Sequence, residues 1–301
     1  MSWLASNPTL AGAAGAFAIA FSGILVRLSG ASPTTAAFFR CLYALPALGV
    51  LAVLERRRYG ERAPGQRRLA LVAGVFFGLD LVFWHHSIEN IGAGLATVLG
   101  NLQVVLVPIV AWLVLRERPG RRIAAAVPLG LLGVVLISGI FGQRPYGADP
   151  PLGVLYGVLT ALAYSGFLLV LRAGNRDLRR PAGPLFDATL SSAVVALLAG
   201  WWAGDVRLEP TWPGHGWLIL LALSAQVAGW LLISVSLPRV PAAVTSVVLT
   251  LQPVGAVVFS MLLIAETPSV LQLVGVAFIL AGLVVGGVVR RPRAPAPAVA
   301  G

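Results

Sequence analysis

Asp80 is the residue whose type and position most plainly ask for a chemical role. The stretch GVFFGLDLVFWHHS places it in the middle of an apolar run. Trp84 follows four residues later on the same helical face, and His85 and His86 come next. A charge at the centre of a membrane helix costs about 2.5–3.5 kcal/mol on insertion scales, so such residues are few and face a cavity or a partner. Asp80 could bind an amine or a proton beside Trp84. It could equally accept a structural hydrogen bond from Arg40 or from a neighbouring helix. Asp80, His85 and His86 are the candidates for proton coupling, although histidines near an interface are ordinarily solvated. Arg40 and Tyr43 share the run ASPTTAAFFRCLYALPAL. Arg40 could hold a carboxylate with two parallel hydrogen bonds, or form an internal salt bridge with Asp80.

Further candidates lie downstream. Thr97 and Asn101 are one turn apart, with Pro108 on the same side. Gln103 points about 200° away from Asn101 at 3.6 residues per turn. That separation assigns Asn101 to a cavity and Gln103 to helix contacts. Tyr164 precedes Ser165 in LAYSGF, and Gln226 and Trp230 repeat the spacing of Asp80 and Trp84. Gln252 is the repeat counterpart of Gln103. Pro108 and Pro253 each remove a backbone donor and are expected either as hinges or as static bends. Two indoles with Tyr43 and Tyr164 would suit a flat apolar solute, and helix packing would use the same rings.

The elements that must position these residues are membrane helices. Of the 301 residues, 58% are hydrophobic and 11% charged, with mean hydropathy +0.88. A soluble domain carries about 25% charged residues. Ten apolar stretches are long enough to cross a bilayer: roughly 9–29, 33–54, 68–88, 92–115, 121–140, 151–172, 183–203, 214–237, 240–264 and 269–289. No Lys or Arg precedes the first, so it is expected to be a membrane helix and not a cleaved signal. The net charge of +11 comes from arginines clustered between apolar runs, which is a topology signal and not a nucleic-acid footprint. The clusters at 56–68, 116–122 and 172–180, with Arg239 and the tail, alternate with arginine-poor loops. Both termini are therefore expected in the cytoplasm. Cys41 is the one cysteine and lies in an apolar run, so no intrachain disulfide can form.

The stretch Ile91–Pro119, IGAGLATVLGNLQVVLVPIVAWLVLRERP, recurs without a gap as Val240–Pro268, VPAAVTSVVLTLQPVGAVVFSMLLIAETP. Gln103/Gln252, Glu117/Glu266 and Pro119/Pro268 are its telling matches, because each residue type is uncommon here. Each repeat spans five helices. An odd number forces the second copy to enter the membrane upside down. The fold class is thus all-α, a polytopic membrane protein of ten transmembrane helices in two inverted five-helix repeats. The expected divisions are 1–145, 146–289 and a disordered cytoplasmic tail at 290–301. Glu117 and Glu266 are expected in interfacial turns, as caps or ion-pair partners of loop arginines, without deep burial.

A small-residue helix ending in a Glu-containing turn before a Gly-rich helix is present in both halves, as Gln103–Pro119 with Gly133 and Gln252–Pro268 with Gly282. In this the chain resembles the drug/metabolite transporter superfamily, and within it the ten-helix EamA-type exporters. The His-bearing third helix and the aromatic content are also similar to aromatic amino-acid exporters of YddG type. The resemblance implies export of small metabolites across a bacterial inner membrane. The sequence has no P-loop, HExxH, CxxC or GxSxG pattern, so no enzyme, cofactor or metal site is expected. The expected partners are a small-molecule substrate and the lipid bilayer, with no nucleic acid. Oligomeric state and energy source are open. Aromatic or large apolar amino acids are the favoured cargo, in a midplane cavity lined by Arg40, Tyr43, Asp80, Trp84, Asn101, Tyr164, Gln226, Trp230 and Gln252. A multidrug or nucleotide-related exporter is the alternative. A membrane scaffold or lipid-modifying enzyme is the competing class, which a mid-helix Asp80 disfavours.

Overall fold

The computed structural model describes residues 7–116, 120–141, 144–174, 177, 179–236 and 242–287. The expectations for Glu117, Arg118, Pro119, Arg176, Arg239 and the 290–301 tail lie outside these residues. Among the described residues there is no strand, and the helices group into ten spans. These are α1 (Pro8–Ala20 and Ser22–Ser29), α2 (Pro33–Tyr59), α3 (Pro64–Ile91), α4 (Ala93–Gly100 and Gln103–Leu115) and α5 (Arg121–Ile137). The second half holds α6 (Pro150–Gly174), α7 (Ala182–Ala203), α8 (Gly214–Ser236), α9 (Ala242–Leu263) and α10 (Val270–Gly287). Seven stretches are long and apolar enough to cross a membrane on their own measure. The spans α5, α9 and α10 run 17, 22 and 18 residues, within the roughly 17–25 that suffice.

The helices pack by a rule that the repeat dictates. The principal contacts join α3 to α6 and to α7, α5 to α10, α2 to α7 and α4 to α9, with α1 against α8 and α9. Exchanging each helix with the one five places along turns α3–α6 into α8–α1 and leaves α2–α7, α4–α9 and α5–α10 unchanged. Equivalent helices of inverted repeats run in opposite directions, so the end of one lies beside the start of its counterpart. The α5–α10 crossing is close because it is built on glycine. A Cβ on Gly133 would lie 2.6 Å from the Gly275 carbonyl oxygen, and one on Gly275 would lie 2.8 Å from that of Gly133. Small residues bring membrane helices together in this way, where dispersion and not the hydrophobic effect holds them.

Carboxylates fasten these antiparallel pairs. Glu55, near the end of α2, accepts the backbone N–H groups of Ala182 (2.9 Å) and Gly183 (2.8 Å) at the start of α7. At the opposite ends of the same pair, Asp205 accepts from the Thr34 N–H (3.4 Å) and the Thr34 hydroxyl at the start of α2. Glu266, beyond the end of α9, accepts the N–H groups of Ala93 (2.7 Å) and Gly94 (3.1 Å) at the start of α4. Glu266 thus caps, as expected, but it is 1% exposed, and the expectation of shallow placement is corrected. A helix N-terminus without a side-chain acceptor of its own draws the charge inward. Gln272 adds a second fastening nearby. It accepts from the Tyr146 N–H (2.9 Å) and donates to the carbonyls of Tyr146 (3.0 Å) and Ile137 (3.3 Å).

Three spans are irregular. The first, α1, breaks at Phe21, beside Ser22, whose hydroxyl donates to the Ile19 carbonyl at 2.6 Å. In α4 the break falls at Asn101–Leu102, where Asn101 Nδ2 donates to the Thr97 carbonyl at 2.8 Å and Leu102 N–H closes a tighter turn onto Leu99 at 3.0 Å. The middle of α8, Ala222–Gly229, is a π-helix. Pro108 and Pro253 lie inside the continuous segments Gln103–Leu115 and Ala242–Leu263. Trp201, Trp202 and Trp212 are exposed around the α7–α8 connection, as in an interfacial aromatic belt.

Glu266→Ala is expected to lower stability by about 1–3 kcal/mol, since two buried N–H groups lose their acceptor. Thermal unfolding of the detergent-solubilised protein measures this, and Glu266→Gln should recover part of the loss.

Candidate functional site

Seven spans converge on a cavity of about 170 Å³. From the first half come Ile19 and Ser22 (α1), Arg40 (α2), Phe77, Asp80, Leu81 and Trp84 (α3), and Thr97, Gly100, Asn101, Gln103 and Val104 (α4). From the second come Thr160, Tyr164 and Leu168 (α6), Trp230 and Ile233 (α8), and Gln252 (α9). Of the nine residues expected to line a cavity, this one brings together Arg40, Asp80, Trp84, Asn101, Tyr164, Trp230 and Gln252.

Tyr43 and Gln226 are not in its wall. The Tyr43 hydroxyl lies 2.6 Å from His215 Nδ1, so the ring is carried against the start of α8. Gln226 sits behind Arg40, accepting from Arg40 Nε at 3.0 Å and donating to the Thr189 hydroxyl at 3.1 Å. It is fully buried inside the π segment. The i→i+5 turn there changes the register that a regular α-helix would give Gln226 and Trp230. Gln226 therefore orients the arginine, while Trp230 faces the open space.

Arg40 is 3% exposed. Its guanidinium carbon lies 5.5 Å from the Trp84 ring centroid, within cation–π range. Its terminal nitrogens make no hydrogen bond among the described residues. Asp80, 7% exposed, has neither a hydrogen bond nor an ion pair among the described residues, and it lines the cavity. Neither structural alternative for this pair is realised: Arg40 and Asp80 do not close a salt bridge, and no neighbouring helix donates to Asp80. A guanidinium and a carboxyl group thus share one cavity without joining. Leaving such groups unpaired costs several kcal/mol, which an occupant carrying both charges would offset.

An aromatic wall completes the site. Trp230 meets Phe77 (5.6 Å), Tyr164 (5.9 Å) and Phe167 (5.6 Å) edge-on, and Phe77 stacks on Phe167 at 4.6 Å. Phe77, Thr160 and Gly100 were not distinguishable by sequence from ordinary packing residues. Gln103 was assigned to helix contacts because a regular helix would turn it away from Asn101. The break at Asn101–Leu102 resets that phase, and both residues line the cavity. Gln103 Oε1 and Thr160 Oγ1 are buried without partners, the kind of unsatisfied group that marks a place for a ligand or water.

The histidines stand apart. His85 is 1% exposed, with Nδ1 2.5 Å from the Leu81 carbonyl oxygen and Nε2 without a partner. The expectation that it is solvated is corrected: α3 runs on to Ile91, which places His85 below the surface. His86 stacks on Tyr156 at 5.0 Å and lies 3.8 Å from Glu89. Among the described residues no group of three or more His, Cys, Asp or Glu could hold a metal ion.

A cavity shared by two inverted five-helix halves is the architecture of a membrane transporter of small molecules. The EamA-like transporter family matches residues 8–139 and 151–286, and the chain belongs to that family, with a small-molecule substrate and the membrane lipid as its partners. It is 25% identical over 260 residues to the "Uncharacterized transporter YxxF" of Bacillus subtilis (strain 168), covering 85% of this chain and 82% of that one. A solved crystal structure covering 93% of this chain and 96% of its own superposes with a TM-score of 0.61 at 18% identity, a likeness of fold alone.

Gln226→Leu is expected to cost about 1–3 kcal/mol in thermal stability, because it leaves the buried Arg40 Nε–H without its acceptor. Tyr43→Phe should cost about 0.5–1.5 kcal/mol and leave substrate affinity unchanged, as its hydroxyl lies outside the cavity. Melting curves with and without substrate separate the two effects.

Proposed function

We propose that the protein exports zwitterionic amino acids with aromatic or large apolar side chains across the bacterial inner membrane by alternating access. The observation that carries this reading is the cavity shared by Arg40 and Asp80, neither of which is ion-paired among the described residues. An amino-acid carboxylate would meet the free Arg40 nitrogens, and its ammonium would meet Asp80, with Asn101, Gln252 and the unpartnered Gln103 oxygen close by. The side chain would lie among Phe77, Trp84, Tyr164 and Trp230. A diphosphate would need several cations. Among the described residues lining the cavity Arg40 is the only one, which speaks against a nucleotide-like cargo.

The working units in this reading are residues 1–145 and 146–289, which rock about the site, with the 290–301 tail and both termini in the cytoplasm. Pro108 and Pro253 flank the motion as hinges. Asp80 is the proton-coupling group favoured by its place in the cavity, ahead of His85 and His86.

In proteoliposomes, labelled Phe, Trp or Met should be transported, and failure with all three would end the amino-acid reading. Asp80→Asn should reduce flux tenfold or more while leaving the melting temperature level or higher, because no protein group loses a hydrogen bond. Flux with and without an imposed pH gradient, repeated for Asp80→Asn, distinguishes antiport from facilitated diffusion. Tags at the two termini should be accessible from the same side.

A further inference from the structure

A second cavity, of about 300 Å³, lies at the arginine-rich end of the bundle, remote from the first. It is formed by the end of α2, the turn into α3 and the start of α7. Its walls differ in chemistry. Gly49, Ala52, Val53 and Phe186 make an apolar wall, and Arg56, Arg62, Arg67 and Arg180 stand at the outer rim with Glu55, Glu61 and Asp187.

The charges are unequally engaged. Glu55 is spent on the Ala182 and Gly183 N–H groups, so the α7 N-terminus is not open to an anion. Arg180 is spent on Asp177 (3.0 Å) and on the carbonyls of Tyr59 (3.3 Å) and Gly60 (3.1 Å). Asp187 is hydrogen-bonded to Arg62 Nη2 and lies only within 3.9 Å of Arg67 Nε. Arg56 approaches Glu61 no closer than 3.9 Å. Arg56 and Arg67 are 62% and 64% exposed, and the buried Arg62 Nη1 has no partner among the described residues. Two loosely held guanidiniums and one orphaned donor are thus left facing a single pocket.

We propose that this pocket holds the phosphate of an anionic phospholipid. Guanidinium groups suit phosphate oxygens better than ammonium does, because their donors form a planar fork. The apolar wall selects a lipid over a soluble phosphate. Val50 and Leu54, on the same stretch of α2, are 62% and 54% exposed and face the bilayer, so acyl chains can leave the pocket along Gly49–Val53. Basic pockets between helices at a membrane surface take lipid headgroups on these grounds.

Native mass spectrometry of the full chain, with dioleoylphosphatidylglycerol, dioleoylphosphatidylcholine or inorganic phosphate added, tests the proposal. Phosphatidylglycerol should be retained in preference to phosphatidylcholine. The R56Q/R67Q double variant, altered only at exposed side chains, should weaken that retention about 10- to 30-fold, from roughly 1 kcal/mol for each surface arginine. Gly49→Leu, which narrows the apolar wall toward Phe186, should weaken lipid retention as well. Unchanged phosphatidylglycerol binding in R56Q/R67Q would overturn the site. Equal binding of inorganic phosphate, insensitive to Gly49→Leu, would overturn the lipid.

Discussion

Antiparallel contact between equivalent helices governs this structure. A carboxylate just past the end of a helix is ordinarily ill placed, because the helix presents partial negative charge there. Here the neighbour on the opposite course offers its free N–H groups at the same level. Glu55 and Asp205 serve the two ends of the α2–α7 pair, and Glu266 serves α4 from the end of α9. Each is supplied by one half to the other. The bundle is therefore tied at its ends by hydrogen bonds that inversion itself makes possible, while its middle combines close packing with a few buried polar contacts such as Arg40–Gln226–Thr189. That division leaves room for a cavity at mid-height.

The cavity depends on departures from regular helix. The α4 break turns both Asn101 and Gln103 toward it, and the π segment of α8 lets Gln226 brace Arg40 while Trp230 stays in the wall. Their repeat counterparts are regular: α9 continues through the level of the α4 break, and α3 is α-helical where α8 is not. The symmetric scaffold is thus made asymmetric where selectivity would reside. Asp80 and Arg40 share the same half, whereas Tyr164, Trp230 and Gln252 are contributed by the other.

Much of this was legible in the amino acids. Hydropathy gave the spans, and the Gln, Glu and Pro matches at fixed spacing disclosed the inverted repeat. A charge at mid-helix singled out Asp80, and Trp84 followed from its spacing. What escaped had physical causes. Gln103 was turned the wrong way because a regular 3.6-residue period was assumed across Asn101. Gln226 was given to the cavity because nothing in ALSAQVAG announces a π-helix. His85 was taken for a surface residue because α3 was expected to end near residue 88 and extends to Ile91. Glu266 was thought shallow because an acid in a turn normally needs only water, and its buried helix terminus belongs to a distant part of the chain. Phe77 and Thr160 carry no mark separating them from filler.

Gln272 breaks the equivalence in another way. Its counterpart in the first half is Ile123, which has no amide. Where Gln272 stands, one side chain joins the start of α10 to the α5–α6 connection, through the N–H and carbonyl of Tyr146, and to the end of α5, through the carbonyl of Ile137. Beside Ile123 nothing of the kind can be drawn. Prising α5 from α10 at the Gln272 end means stripping a buried amide of its partners, and the isoleucine imposes no such toll at the other end of that pair. The α5–α10 pair has in this way acquired unequal ends.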